Sequence, residues 1–256
     1  MSIYLQPGKI IAFAHRGGAY HPEIEGLENT LAAFRHAVAL GYTYLETDVH
    51  VTKDGALLAF HDTVLDRVTD RMGAIAQLTL AEIREARIGG REQVPTLGQL
   101  LDAFPDALFN IDMKGPGAAA VLADVISEHD LWDRVLVGSF SPARIREFRR
   151  LTDGRVPTAA HVWEILAFRF LPSARLAHRL VGRDFVAFQI PHRRFGMRVA
   201  TRGLVRRAHA AGKQVHVWTV DDPEEMHLLL DRGVDGLFTD RTDLLKDVLV
   251  GRGQWQ

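Results

Sequence analysis

The sequence predicts a parallel α/β barrel of the (β/α)8 kind, on three observations. Short β-branched or apolar runs alternate with longer helix-like stretches from one end of the chain to the other, the rhythm of parallel strands joined by crossover helices. The 256 residues can bury a full core as one α/β domain of roughly 250 residues. No Pro/Ser-rich linker, composition shift or repeat of about 20 to 50 residues divides the chain, so one domain is expected over residues 1–256.

Strands are expected at Ile10–Ala14, Thr43–Asp48, Leu57–His61, Leu108–Met113, Arg134–Gly138, Val156–Ala160, Phe185–Ile190, Gln214–Val220 and Gly236–Thr239. These are one more than a closed barrel takes, and Val156–Ala160 is the first candidate for the surplus. Helices are expected at Thr30–Leu40, Thr96–Ala103, Ala118–Glu128, Pro142–Leu151, Leu204–Ala211 and Pro223–Arg232. Gly41, Gly212 and Gly233 stand where three helices should stop. The Asp62–Pro95 connection, after the third strand, has no clear strand and should form a small excursion over the barrel mouth.

Composition narrows the chemistry. With 47% hydrophobic residues, 25% charged residues and a formal net charge of −1, the chain is neither fibrous nor disordered. Near-neutrality argues against wholesale attraction to nucleic acid or an anionic membrane but leaves room for a local basic pocket. The absence of cysteine excludes disulfides, thiolate catalysis and Cys-ligated zinc or iron, so any metal must take oxygen or histidine ligands. Met1–Ala14 lacks the order of features of a signal peptide. The most apolar window, Trp163–Leu180, is broken by Glu164, Arg169, Pro172 and Arg175 and falls short of the roughly 18 to 20 apolar residues of a membrane span. A cytoplasmic protein without a transmembrane segment is expected.

Side chains at i and i+2 of a strand share a face, so Glu46 and Asp48 set two carboxylates side by side. They are either solvated at a sheet edge or joined by a cation, for which a hard divalent ion is suited. Asp112 ends another apolar strand with Lys114 on the same face, a pair that could bind metal and phosphate or form a salt bridge. His15-Arg16-Gly17-Gly18 follows the first strand and offers an imidazole, a guanidinium and close backbone approach at the strand's C-terminal end. His61-Asp62 ends the third strand in the same way, and two such histidines could serve as general acid and base. The other ten histidines are given no role, His50 being the nearest to one.

These residues resemble the glycerophosphodiester phosphodiesterase family over almost the whole chain. The matches run in order through Ala14-His15-Arg16-Gly17, Glu28-Asn29-Thr30, Glu46-x-Asp48-Val49, Thr52-Lys53-Asp54-Gly55, His61-Asp62, Asp66-Arg67-x-Thr69, Val94-Pro95-Thr96-Leu97, Asp112-x-Lys114, Ser139-Phe140, Val217-Trp218-Thr219-Val220 and Gly233-Val234-Asp235-Gly236 leading to Thr239-Asp240. The resemblance implies a TIM barrel of the phospholipase-C-like phosphodiesterase type. It implies His15 and His61 as the acid/base pair, Arg16 and Lys114 at the phosphate, Trp218 on the substrate pocket wall, and Glu28 and Asn29 bracing or completing the site. It also implies one divalent ion, Mg²⁺ or Ca²⁺ with Mn²⁺ as a further candidate, on Glu46, Asp48 and Asp112, and no other cation is expected to neutralise all three.

Two positions depart from the family pattern. Asp112 stands where glutamate is usual, and Asp221 where asparagine is usual after Trp-Thr-Val. The insert Tyr20–Gly26 could bring Glu23 and Glu25 to the mouth, a solvated loop being the default.

The implied activity is cleavage of glycerophosphodiesters to sn-glycerol 3-phosphate and an alcohol, through attack by water or by the neighbouring glycerol hydroxyl. The expected partner is a small-molecule phosphodiester, with no nucleic acid and at most weak lipid contact. Two alternatives remain. One is a lysophospholipase D using Trp163–Leu180 as an acyl groove, although an inward-packing barrel helix explains the same residues. The other is a non-catalytic phosphate-binding barrel, in which both histidines would be idle.

Overall fold

The computed structural model describes residues 4–6, 8–194 and 196–255. Its strands are β1 (Ile11–His15), β2 (Tyr44–Val51), β3 (Leu57–Ala59), β4 (Arg87–Ile88), β5 (Glu92–Gln93), β6 (Leu108–Met113), β7 (Val135–Gly138), β8 (Ala187–Pro191), β9 (Arg193–Arg194), β10 (Met197–Arg198), β11 (Gln214–Trp218) and β12 (Gly236–Thr239). Among the described residues seven run parallel, in the order β7-β6-β2-β1-β12-β11-β8.

Residues 157–160 close that row into a barrel. On one side the Val137 N–H donates to the Pro157 carbonyl (3.0 Å) and the Ala159 N–H to the Val137 carbonyl (2.9 Å); on the other, the Val186 N–H donates to the Thr158 carbonyl (3.0 Å) and the Ala160 N–H to the Ala187 carbonyl (2.9 Å). Val156–Ala160, expected as the surplus strand, therefore fills the eighth place. Arg149 braces it, donating to the Thr158 hydroxyl and the Ala159 carbonyl.

The surplus strand is Leu57–His61. Its ordered part, β3, pairs antiparallel with β2. Only residues 52–56 separate β2 from β3, enough for a hairpin but not for the dozen or so residues of a parallel crossover. Beyond it, the Asp62–Pro95 excursion holds the β4–β5 hairpin and the short helix Leu80–Ile83. It packs on its own small core, in which Leu58, Phe60, Leu65, Ile75, Ile83 and Ile88 are buried.

The expected helices form at Leu31–Ala39, Leu97–Ala103, Ala118–Glu128, Pro142–Leu151, Arg202–His209 and Pro223–Leu230. Thr30 and Thr96 cap the first two, each accepting a backbone N–H from three residues on. Gly41, Gly212 and Gly233 all have positive φ at helix ends, as the sequence predicts. The inward-packing helix weighed for Trp163–Leu180 forms as two, Val162–Phe170 and Ala174–Val181, and a helix at Thr242–Gly251 lies outside the expected set. The first carries apolar residues around much of its circumference, which hides the helical period. No described helix is long and apolar enough to cross a membrane.

The lower barrel is filled by Phe13, Tyr44, Leu136, Ala187 and Phe238, with Tyr4 beneath them. Phe13 and Phe238 stack at 4.1 Å. Above this apolar plug the register sets polar side chains in layers: His15 lies opposite Glu46, which lies opposite Asn110, and Asp48 lies opposite Asp112. Strand alternation turns the two layers toward the same interior.

His216 is the polar exception within the plug. Fully buried, with its ring 5.1 Å from that of Phe13, it meets the Gln214 side chain through Nε2 (2.8 Å), while Nδ1 has no hydrogen bond. Burial pushes its pKa down to about 3. The unfolded chain, where histidine titrates near 6.5, therefore takes up this proton first as the pH falls. Full stability should hold above about pH 6.5 and decline toward pH 3 by about 1.4 kcal/mol per pH unit from this group. Urea unfolding at pH 7 and pH 4.5 should show a smaller loss in His216→Gln than in the wild type; equal losses would remove His216 as the cause.

Candidate active site

A cleft of about 270 Å³ opens at the C-terminal ends of the strands. Eight of the ten residues singled out from the sequence line it: His15, Arg16, Glu46, Asp48, His61, Asp112, Lys114 and Trp218. Glu28 and Asn29 stand behind its wall.

Arg16 leaves the end of β1 with φ of +51°, a left-handed conformation unusual for a side-chain-bearing residue. The turn continues through Gly17 and Gly18, at φ +84° and +92°. A Cβ at Gly17 would lie 2.8 Å from the Ala33 side chain, and one at Gly18 2.7 Å from Thr242. The close approach fixes where Arg16 points. Its N–H donates to Glu46 Oε2 (3.1 Å), and its guanidinium pairs with Glu28 (3.3 Å) and with Asp48 Oδ2 (3.3 Å). Asn29, also left-handed, donates its N–H to the Arg16 carbonyl (2.9 Å) and accepts the Thr47 hydroxyl (2.7 Å).

His61 reaches the mouth by a route the sequence did not disclose. β2 runs three residues past Asp48, reverses and returns as β3, so that the Phe60 N–H donates to the Asp48 carbonyl (2.9 Å). His61 is thereby set beside Asp48 without ending a barrel strand. His50 supports it by donating Nε2–H to the His61 carbonyl (3.0 Å).

Each histidine has a carboxylate on Nδ1: Asp240 on His15 (2.7 Å) and Asp62 on His61 (2.6 Å). For His15, burial opposes the charged form, but Glu46 and Asp240 outweigh it and the net shift is upward. Asp62 also accepts from Arg67 Nε (2.6 Å), and Arg67 grips Glu28 through both terminal nitrogens (2.8 and 2.7 Å). Asp221, where the family pattern has asparagine, accepts the Asp240 N–H (2.7 Å) and the Thr239 hydroxyl (3.0 Å), and so steadies the partner of His15. Asp62, Arg67 and Asp240 were visible in the sequence only as neighbours within matched motifs, with no signal that they face the histidines.

Lys114 Nζ lies 3.0 Å from Asp48 Oδ1 and 2.7 Å from Asp112 Oδ2. Lys114 joins Asp48 to Asp112 and Arg16 adds to Asp48, so two of the three carboxylates already meet cations of this chain, and these charges hold Asp48 below the usual carboxylate range against the effect of burial. Glu46 is less well matched. Burial, with Asp48 beside it, pushes its pKa up to about 7. Burial likewise raises Asp112.

Among the described residues no group of three histidines or carboxylates stands in metal-binding geometry. The donor set nevertheless fits a hard cation. Glu46, Asp48 and Asp112 supply only oxygen, the buried Asp112 Oδ1 accepts no hydrogen bond, and Asp48 Oδ2 has the Arg16 guanidinium 3.3 Å away but no hydrogen bond.

On the far wall Phe140 meets Trp218 edge to face at 5.6 Å, with Val162 and Ile165 beside them. Of the segment Trp163–Leu180 only Ile165 lines the cleft; Phe168 enters the core, while Trp163, Phe170 and Leu180 are exposed. Glu23 pairs with His36 (3.2 Å) on the surface, and the Tyr20–Gly26 loop contributes nothing to the cleft lining.

Comparison with known proteins places the chain in a family. Residues 15–244 match the glycerophosphoryl diester phosphodiesterase family. The chain is 43% identical to the "Probable glycerophosphodiester phosphodiesterase 2" of Mycobacterium tuberculosis, over 98% of this chain and 95% of that protein. It is 30% identical to a glycerophosphodiester phosphodiesterase of Caldanaerobacter subterraneus subsp. tengcongensis, over 96% and 99%. An Oleispira antarctica phosphodiesterase solved with the product sn-glycerol-3-phosphate shares the fold, with a TM-score of 0.78 and 23% identity over 94% of this chain and 96% of that one. The chain belongs to the glycerophosphoryl diester phosphodiesterase family and is a phosphoric diester hydrolase with a TIM-barrel fold.

Proposed function

We propose that this chain, acting as one catalytic domain over residues 1–256, hydrolyses glycerophosphodiesters to sn-glycerol 3-phosphate and an alcohol by histidine acid/base catalysis. One observation carries the reading: two histidines border a single cleft, each held at Nδ1 by a carboxylate, beside the Arg16 and Lys114 cations. A carboxylate on Nδ1 fixes the tautomer and leaves Nε2 to exchange a proton. The product bound to the Oleispira antarctica phosphodiesterase supports the same product here.

His15, whose proton affinity Glu46 and Asp240 raise against burial, suits the acid that protonates the departing alkoxide. His61 is then the base that takes the proton of the nucleophile, a water or the neighbouring glycerol hydroxyl. Arg16 and Lys114 bind the phosphoryl oxygens, and Trp218 with Phe140 forms the wall against which the substrate lies. Glu46, Asp48 and Asp112 would hold a divalent ion, Mg²⁺, Ca²⁺ or Mn²⁺, which when bound supplies charge neutralisation and polarisation at phosphorus.

A second reading, lysophospholipid hydrolysis, is favoured by the apolar wall of Phe140, Val162, Ile165 and Trp218. Among the described residues no second aromatic cluster lines the cleft to cage a quaternary ammonium, which favours tolerance among small headgroups.

His15→Ala and His61→Ala should each lower kcat on glycerophosphocholine by on the order of 10²-fold or more with unchanged circular dichroism, while His129→Ala and His178→Ala should change it little. Near wild-type turnover in either of the first two would remove that histidine from the mechanism. Turnover should end in excess EDTA and return with Mg²⁺, Mn²⁺ or Ca²⁺. Under the restoring conditions glycerophosphocholine and glycerophosphoethanolamine should be cleaved within about tenfold of each other. Full activity in EDTA would sink the metal, and a lysophospholipid cleaved more than about tenfold faster would establish the second reading instead.

A further inference from the structure

The lip of the cleft carries charge, and apolar surface beyond the Phe140 wall, that the reaction does not use. The segment 162–207 holds ten arginines against two acidic residues, in a chain whose net charge is −1. Arg193, Arg194 and Arg198 are exposed on the β9–β10 hairpin, which rises directly from the mouth end of β8, and exposed Arg202 follows it. Their charges crowd one another. Arg232, packed beneath, is held below the usual guanidinium range first by burial and then by Arg198, Arg193 and Arg202. Glu225 faces Arg193 at 4.0 Å and His192 at 3.1 Å.

Large apolar side chains stand in water beside these arginines. Phe140, Trp163 and Met197 are 61%, 63% and 64% exposed. They follow three successive barrel strands, β7, the strand at 157–160 and β8, at their mouth ends. Phe140, Val162 and Arg194 also line the cleft, so the exposed sector is continuous with the site. An aromatic and aliphatic tip flanked by arginines is the composition of an interfacial anchor, in which the rings enter the headgroup boundary and the guanidiniums meet lipid phosphates.

We propose that this sector of the mouth, built by Phe140, Trp163, Met197 and the exposed Arg193 and Arg198, docks on an anionic lipid surface with the cleft opening onto it. A nucleic acid would be drawn by the same charge. The exposed Phe140 and Trp163 offer stacking faces to bases, but Met197 and Val162 do not, whereas all four can enter an acyl boundary. The docking itself stands on charge and exposure. Its use, access to phosphodiesters carried on lipid or released at its surface, rests on the proposed function.

Co-sedimentation of the full chain with vesicles tests it. Equimolar phosphatidylglycerol/phosphatidylcholine vesicles should bind at least tenfold more tightly than pure phosphatidylcholine, with affinity falling as salt is raised. R193E/R198E should lose at least tenfold of that affinity. W163S/M197S should lose severalfold and become fully salt-sensitive. Both variants should keep wild-type turnover of soluble glycerophosphocholine, since none of these four residues touches the cleft. Equal binding to the two vesicle types, or undiminished binding by R193E/R198E, would overturn the proposal, as would binding of single-stranded RNA in preference to vesicles. Vesicle binding by a chain inactive on every diester would leave the docking standing and remove the phosphodiesterase reading alone.

Discussion

Lys114, held between Asp48 and Asp112, is the interaction on which the rest of the site depends. The Asp48 side chain is almost wholly removed from water and the Lys114 side chain largely so. An uncompensated carboxylate at such depth costs several kcal/mol, so the acidic interior of the barrel top can exist only with cations built into it. From this pair the neutralisation spreads in a continuous chain. Asp48 also meets Arg16, Arg16 meets Glu28, Glu28 is gripped by Arg67, and Arg67 holds Asp62 on His61. At the other end Arg16 donates its N–H to Glu46, which lies 3.8 Å from His15, itself held by Asp240. Both histidines are thus positioned by one network of charges.

The fold delivers these groups with little freedom. Strand register sets Glu46 level with His15 and Asp48 level with Asp112, and alternation points all four inward. Below them the stacked Phe13 and Phe238 and the other plug residues exclude water from the barrel floor, which lowers the local dielectric and strengthens every pairing above. The Arg16-Gly17-Gly18 turn is pinned against Ala33 and Thr242, so the Arg16 guanidinium is aimed by backbone rather than by side-chain choice. Such pre-organisation is what electrostatic stabilisation of a developing phosphoryl charge requires.

Much of this was legible in the sequence, for identifiable reasons. Period-two spacing revealed Glu46 with Asp48 and Asp112 with Lys114, because strand geometry alone puts i and i+2 together. The barrel was legible from its alternating rhythm, and helix ends from Thr30, Thr96 and the three stop glycines. What escaped depends on where the chain goes between strands. Nothing local says that β2 overshoots and returns, so Leu57–His61 read as a barrel strand and Val156–Ala160, short and held by only a few ladder bonds, as the surplus. Asp240, Asp62 and Arg67 escaped because their partners lie on other elements: Asp240 and His15 are 225 positions apart. The salt-bridge alternative for Asp112 and Lys114 is the one the structure displays, beside carboxylate oxygens that still accept no hydrogen bond.

The measurement that tests this account most directly is a double-mutant cycle on the central pair, read as unfolding free energy in urea without divalent ions. Lys114→Met keeps most of the side-chain volume while removing the charge, and should cost about 3–5 kcal/mol, the usual penalty for breaking a buried ion pair. In that background Asp112→Asn, by removing one of the stranded carboxylates, should recover at least about 1 kcal/mol, whereas in the wild type it should destabilise. If Lys114→Met costs less than about 1 kcal/mol, or if the two substitutions simply add, Lys114 is not what holds the acidic interior together.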